Sequence, residues 1–324
     1  MAASVAMADQ TPNLQEIHDF LFTLALRAGD MITSANPALS PVDTKKNSSD
    51  LVTETDKAVE DMVSSSLKAK FPSYSFLGEE TSTSGRLTNA PTFIVDPIDG
   101  TTNFVHGHPY ISISMAFAYD CRPLVGIVYN PFTQHLYHAI HGRGSFLTAP
   151  SIPTSHPPLP GHGESNVEAM VSAYTRARLP LSNPAPPLQG LKQALVAIEW
   201  GNERSGNNWE TKTKSFSSLA GDESVGGSMV HSLRSLGSAA LNCCAVARGD
   251  LDAYWEGGCW AWDIGAGWVI VEEAGGKVVG GNEGEWKPSV DGRRYLVVRG
   301  AEGGQEEMIG EFWAALKGKL EYEQ

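Results

Sequence analysis

The stretch TFIVDPIDGTTNFVHG, residues 92–107, constrains this chain more than any other. An apolar run from Thr92 to Val95 has the character of a buried strand, and it delivers two aspartates, Asp96 and Asp99, at its end. Burying one carboxylate without a partner is expensive, and two like charges a few ångströms apart cost more. A fold that accepts this segment must supply cations or recruit them. Further acids stand where elements end. Glu79 and Glu80 close a short strand in LGEE (77–80), and Asp263 starts a helix in CWAWDIGAGWVIVEEAGG. Singly, Asp263 reads as a helix cap and Glu79-Glu80 as a solvated turn. Taken with Asp96, Asp99 and a backbone carbonyl such as that of Ile98, they make an all-oxygen donor set suited to a hard divalent ion such as Mg²⁺. Pro97 is expected to stop the strand from pairing onward and to leave the Ile98 carbonyl free to face an ion.

The residues after the aspartates supply the complementary half. Gly100 allows close backbone approach. Thr101-Thr102-Asn103 read as the first turn of a helix whose unpaired N–H groups and positive dipole end would bind phosphate. Cations on one side and amides on the other describe a phosphoester site. An EF-hand is excluded because its twelfth position, counted from Asp96, holds Gly107 where that loop needs a Glu. Neither GxGxxG nor GxxxxGK[ST] occurs, which removes the nucleotide loops of those kinds. His106 and His108 flank the motif and read as packing or solvent residues, since one-step metal chemistry leaves them no task.

Charge sets the partner class. Lys+Arg number 24 against 37 Asp+Glu, a net charge of −13, the wrong sign for a surface that attracts nucleic acid or anionic lipid. Neither a nucleic-acid nor a membrane partner is expected. No apolar run approaches the roughly 18 residues of a membrane span, and MAASVAMADQTPN lacks the regions of a signal peptide, so a cytoplasmic location is expected. Cys121, Cys243, Cys244 and Cys259 form no CxxC pair, and packed, reduced thiols are expected. At 324 residues with 41% hydrophobic composition, the chain can bury one large core or two modest ones.

Helix and strand alternate along the chain without internal repeats. Thr11 can cap a helix with Pro12 at its first position, because Leu14, Ile17, Leu21, Leu24, Ala28 and Ile32 recur at helical spacing. A second helix fits 55–69. ISISMAFAY (111–119) alternates strictly and continues through LVGIVYN and QHLYHAI as an antiparallel meander turning near Pro131. The Pro-, Ser- and Gly-rich segments 148–165 and 180–190 read as surface loops around a strand in AMVSAY. Strands are expected at 194–200, 229–235, 251–255, 277–280 and 295–299, and helices at about 238–248, 263–274 and 305–317.

GEE, DPIDGTTNFVHG and WDIGAGWVIVEEAGG, in this order and at these separations, closely resemble the signatures of the inositol monophosphatase family, over nearly the whole chain and most like its fungal-type members. The resemblance implies an α/β, layered αβαβα fold and a single unit over 1–324. An N-terminal half at about 10–190 would carry the metal motifs and a Pro-rich inserted loop near 149–193, with a C-terminal half at about 194–324. It further implies Mg²⁺-dependent, Li⁺-sensitive hydrolysis of a small phosphate monoester, a homodimer, and two or three Mg²⁺ ions in each active site. Carried over by position, Glu79, Asp96 and the Ile98 carbonyl would hold the first ion; Asp96, Asp99 and Asp263 would hold the second. Asp56, on residues alone an N-terminal helix position, would hydrogen-bond Thr101, and that pair together with Glu79 would orient the attacking water. Asp99, Gly100, Thr101, Thr102 and Asp263 would contact substrate. Gly237, Ser238 and Ala239 would line the sugar side through the backbone, and Glu256 would accept hydrogen bonds from substrate hydroxyls. Lys45, or its neighbour Lys46, matches a basic residue near the metals. The substrate reading is a phosphorylated polyol, myo-inositol monophosphate first. The alternatives are histidinol phosphate, a sugar 1-phosphate or a nucleotide bisphosphate, or a non-catalytic regulatory homologue such as one in a fungal quinate gene cluster.

Overall fold

The structure is a computed structural model describing residues 12–35, 42–44, 51–82, 86–150 and 174–323. In chain order its elements are α1 (Leu14–Ser34), β1 (Val42–Thr44), β2 (Leu51–Thr53), α2 (Glu54–Lys70), β3 (Ser75–Gly78), β4 (Thr92–Asp99), α3 (Thr101–Val105), β5 (Ser112–Tyr119), β6 (Arg122–Asn130), β7 (His135–Ile140), β8 (Ser145–Pro150) and β9 (Tyr174–Arg178). There follow β10 (Leu195–Ile198), α4 (Gly206–Ala220), β11 (Ser232–Arg234), α5 (Ala239–Arg248), β12 (Ala253–Gly257), α6 (Ala261–Glu273), β13 (Lys277–Gly280), β14 (Arg294–Val298) and α7 (Gln305–Ala315).

Strands β3 to β9 form one sheet in chain order, antiparallel except for the parallel β3–β4 pair. The second sheet runs β11-β10-β12-β14-β13, with β10 parallel to both its neighbours. Three cores join five layers, the middle core enclosing the central helices. Ile17, Leu21 and Leu24 of α1 and Val59 and Val63 of α2 pack on Phe93, Val95, Ile113, Met115 and Phe117 of the first sheet. Its other face, with Ile94, Ala116 and Val128, shares a core with α5, α6 and the second-sheet residues Tyr254, Tyr295 and Val297. Leu219 of α4 and Met308, Ile309 and Phe312 of α7 cover the outer face at Val196, Trp255 and Leu296. The αβαβα order implied by the resemblance is the one these cores describe.

The alternation in β5 has a packing cause. Its large residues face α1 and α2, while Ala116 and Ala118 face the central helices. Helix α6 is apolar around almost its whole circumference and is buried accordingly. Its backbone presses so close to β6 that a Cβ on Gly126 would lie 2.3 Å from the Ala266 carbonyl oxygen. Only glycine fits there.

Several expectations shift. Helix α1 is capped by Asn13, whose side chain accepts from Glu16 N–H; Pro12 precedes the cap, and Thr11 lies outside the described residues. Pro97 does not end β4. Pairing slips in register between Asp96 and Asp99 and resumes with Asp99 opposite Ser112, because a bulge lets the strand pass a residue without an N–H. The segment expected to be a loop from 148 begins as the end of β8. Positions 169–173 of the strand expected in AMVSAY lie outside the described residues, and Tyr174 opens β9, the sheet's edge. Helix α4 has no counterpart in the sequence reading. It buries Asn208, Thr211, Lys212, Ser215 and Ser218 alongside Leu219, so its inner face carries almost no apolar period to detect.

Candidate active site

The acidic positions converge at one end of both sheets. Asp96 and Asp99, at the end of β4, are 2% and 6% exposed, and Asp263 enters from the third position of α6. One carboxylate oxygen from each of these three lies within 4.8 Å of the others. Glu79, on the turn after β3, stands outside that set of three, yet its charge acts on both Asp96 and Asp263.

Electrostatics follows from this crowding. Burial first, then Glu79, Asp99 and Asp263, holds the Asp96 carboxyl well above the usual carboxylate range. Asp263 is raised in the same way, by burial and then by Glu79 and Asp99. Asp99 rises only to about 6, because donors from Ser238, Ala240 and Ala239 oppose the burial. Hard oxygen ligands, no sulfur or imidazole among them, and crowded carboxylates fit a divalent cation of the Mg²⁺ type.

Asp56 serves two neighbours at once. Its Oδ2 accepts from Thr53 N–H at 2.9 Å and from the Thr53 hydroxyl, closing the capping box that starts α2. Its Oδ1 lies 3.3 Å from the Thr101 hydroxyl, which also reaches the Ile98 carbonyl at 3.1 Å. Burial raises the Asp56 carboxyl. Ile98 is buried, and its carbonyl, expected to stand free to face an ion, accepts from the Thr101 hydroxyl.

Gly100 caps α3 with a left-handed φ of 97°, and a Cβ there would sit 2.9 Å from the Gly237 carbonyl oxygen. Thr101 and Thr102 open that helix. It has five residues, so its macrodipole is short and the first amides themselves are the phosphate donors available. Gly237, Ser238 and Ala239 meet Asp99 from the other half of the chain. Ser238 acts through its hydroxyl and not only its backbone: it donates to Asp99 Oδ2, joined by Ala240 N–H at 2.9 Å, while Ala239 N–H donates to Oδ1 at 3.1 Å. Asn103 ties α3 to this loop, donating to the Leu236 carbonyl at 2.7 Å.

A cleft of about 770 Å³ opens over the cluster, walled in part by Thr101, His108, Gly237, Glu256 and Trp262. Glu256, at the end of β12, is half-buried and not a solvated strand end. Tyr254 donates its hydroxyl to Glu256 Oε2, and burial, then Glu199, lifts the Glu256 carboxyl to about 7. His106 and His108 are exposed. Lys45 and Lys46 lie outside the described residues.

Glu199 is the residue the sequence reading passed over. Its Oε1 accepts from Leu236 N–H, Gly237 N–H and the Asn242 amide at 2.7, 2.9 and 2.9 Å, fixing the loop before α5. The signal was available. Glu199 follows the apolar run Val196-Ala197-Ile198 as Asp96 follows its own run, and the carboxyl ends of strands in open sheets are where ligands bind. Among the described residues no helix is long and apolar enough to cross a membrane, and Cys121, Cys243, Cys244 and Cys259 are free thiols.

Residues 13–317 match the inositol monophosphatase family. The chain is 42% identical to inositol monophosphatase 2 of Saccharomyces cerevisiae, over 95% of this chain and 98% of that one. It is 33% identical to a Neurospora crassa protein named quinic acid degradation cluster protein x, over 94% of each. Among solved structures, an inositol monophosphatase from Anabaena superposes with a TM-score of 0.65 at 25% identity, covering 94% of this chain and 96% of that one.

Proposed function

The chain belongs to the inositol monophosphatase family and is a phosphoric monoester hydrolase, and from that premise we propose that it hydrolyses a phosphorylated polyol, myo-inositol monophosphate first, with Mg²⁺. The observation that carries this reading is the meeting of Asp96, Asp99 and Asp263 oxygens within 4.8 Å, beneath a cleft that also holds Thr101, Thr102 and Glu256. Glu79, Asp96, the Ile98 carbonyl, Asp99 and Asp263 would hold two or three ions. Bound there, Mg²⁺ supplies neutralisation of phosphoryl and leaving-oxygen charge and lowers the pKa of water. The chain's own groups do the positioning. Thr101, backed by Asp56, and Glu79 orient the attacking water. The Gly100–Thr102 amides steady the phosphoryl oxygens as charge spreads over them. No Ser, Cys or His nucleophile is required, and displacement is direct and in line. The protein acts as a cytoplasmic homodimer on this reading, and Li⁺ inhibits it.

Phosphate release over a panel of inositol phosphates, sugar phosphates, histidinol phosphate and adenosine bisphosphate tests the assignment. Preference for inositol monophosphate, absent in chelator, is the expected result. Two other readings stand beside it, a different small phosphate and, favoured by the likeness to the Neurospora protein, a regulatory role. Preference for another panel member would establish the former, and no release from any member the latter.

Glu256 sets the polyol preference. A charged acceptor for a substrate hydroxyl is worth on the order of 1.5–3 kcal/mol, or roughly tenfold to a hundredfold in specificity. Glu256→Gln therefore raises KM for inositol monophosphate by about that factor and leaves kcat/KM for a hydroxyl-poor aryl phosphate nearly unchanged. Equal losses on both substrates would instead place Glu256 in support of the metal site.

A further inference from the structure

Lys212, on α4, is 1% exposed. A buried ammonium without a carboxylate clamped to it is costly, and an apolar side chain of similar volume would fill the same space more cheaply. Packing alone does not account for it. Its three protons meet the Trp200 carbonyl at 3.0 Å, the Gly257 carbonyl at 2.7 Å, and the face of Tyr322 with the ring centre 5.7 Å away. Trp200 follows β10 and Gly257 ends β12, and both form walls of the cleft beside Glu256. Glu256 also exerts the strongest charge interaction on Lys212.

Tyr322 closes this arrangement from behind. A Cβ on Gly257 would lie 2.6 Å from its ring. The segment that brings it there is fastened at both steps before it. Asn282 donates to the Leu320 carbonyl and accepts from Leu320 N–H, and Asn208 does the same for Glu321. Arg293 braces the adjoining residues, its guanidinium 3.5 Å over the Trp260 ring and donating to the Gly258 carbonyl at 3.1 Å.

We propose that Lys212, covered by Tyr322, is a specificity-determining positioning residue, setting the spacing of the Trp200 and Gly257 walls so that Glu256 meets a substrate hydroxyl. The inference rests on the polyol-phosphate reading of that corner, and it assigns Lys212 no contact with substrate. Lys212→Met removes both carbonyl bonds at nearly constant volume. In the full chain with Mg²⁺, this variant raises KM for myo-inositol 1-phosphate by about tenfold, the worth of one charged hydrogen bond, while kcat/KM for p-nitrophenyl phosphate is retained. Amide hydrogen exchange quickens at 200–204 and 256–260 and holds steady at 96–101. Tyr322→Ala moves the same readouts in the same direction, and Tyr322→Phe, which keeps the ring, restores them; this pair decides the matter if Lys212→Met fails to fold. Equal losses on both phosphates, or unchanged exchange in the two walls, would overturn the proposal. Wild-type indifference to inositol phosphate would refute the polyol reading alone, since the exchange pattern still decides whether Lys212 sets the walls.

Discussion

Asp96→Asn lowers the turnover of Mg²⁺-dependent phosphate release by roughly 10²- to 10³-fold, the equivalent of about 3–4 kcal/mol of lost charge stabilisation, and raises the melting temperature of the metal-free protein. Both effects come from one carboxylate. Asp96 is 2% exposed and faces the charges of Glu79, Asp99 and Asp263. Without an ion those groups repel. An asparagine keeps the Oδ1 that accepts from Ile98 N–H at 3.0 Å, removes one charge, and turns an amide donor toward the remaining acids. Asp99→Asn is the poorer test, because Asp99 also receives the donors of Ser238, Ala239 and Ala240 and its loss disturbs the start of α5. Kinetics with Mg²⁺ and thermal melts in chelator check the pair of effects. Undiminished turnover would remove Asp96 from the metal site, and a lower melting temperature would make it a structural residue.

In chelator the acids of the site lose their stabilising contribution as pH rises from about 4 to about 7, opposite to the behaviour of an ordinary salt-bridged carboxylate. Unfolded aspartates release their protons near 3.8, whereas folded Asp99 holds its proton to about 6 and Asp96 and Asp263 are also raised. Glu256 holds its proton to about 7. At these acids the native state binds more protons than the unfolded chain across that window, so their share of the unfolding free energy falls with pH, while His18, His135 and His138, lowered by burial, contribute the opposite slope. The stabilisation is fully present below the unfolded values and is lost as pH passes through the folded ones. A carboxyl raised from 3.8 to about 6 contributes roughly 3 kcal/mol to this loss. Saturating Mg²⁺ reverses the trend, because a cation binds the deprotonated groups and its affinity grows as protons leave. Urea midpoints in EDTA and in Mg²⁺, taken in steps between about pH 4 and about pH 8, measure both slopes. An EDTA slope left unchanged by Asp96→Asn and by Glu256→Gln would mean that these acids do not carry the loss.

The acids were legible because each stands at the end of an apolar run, a position where burial and charge conflict in plain view. Asp56 shows how two readings can both apply. The sequence offered a helix-start residue or a partner of Thr101, and the carboxylate has two oxygens, one of which closes the capping box while the other lies beside Thr101. Helix α4 was hidden because its buried face is polar, and with it Lys212. Its interior amides and hydroxyls hold the chain segment around Lys319 and Glu321, a role that hydrophobic periodicity does not register. Glu199 escaped notice because a single acid after a strand is unremarkable until its three donors, all distant in sequence, are seen. Ser238 was expected to act through its backbone, and only the approach of β4 from the other sheet gives its hydroxyl a carboxylate to meet.

Asp99 also carries an arithmetic of valence. A carboxylate has about four acceptor sites. The Ser238 hydroxyl, Ala240 N–H and, at 3.4 Å, the Ser112 hydroxyl occupy Oδ2, while Ala239 N–H takes one site on Oδ1. Three donors share the two sites of Oδ2, so the lone pair left is on Oδ1. A cation or a substrate hydroxyl would meet Asp99 at Oδ1, and holding both there would call on α5 to give back a donor. A cation seated at that oxygen would leave Glu256, across the cleft, as the acceptor open to a hydroxyl.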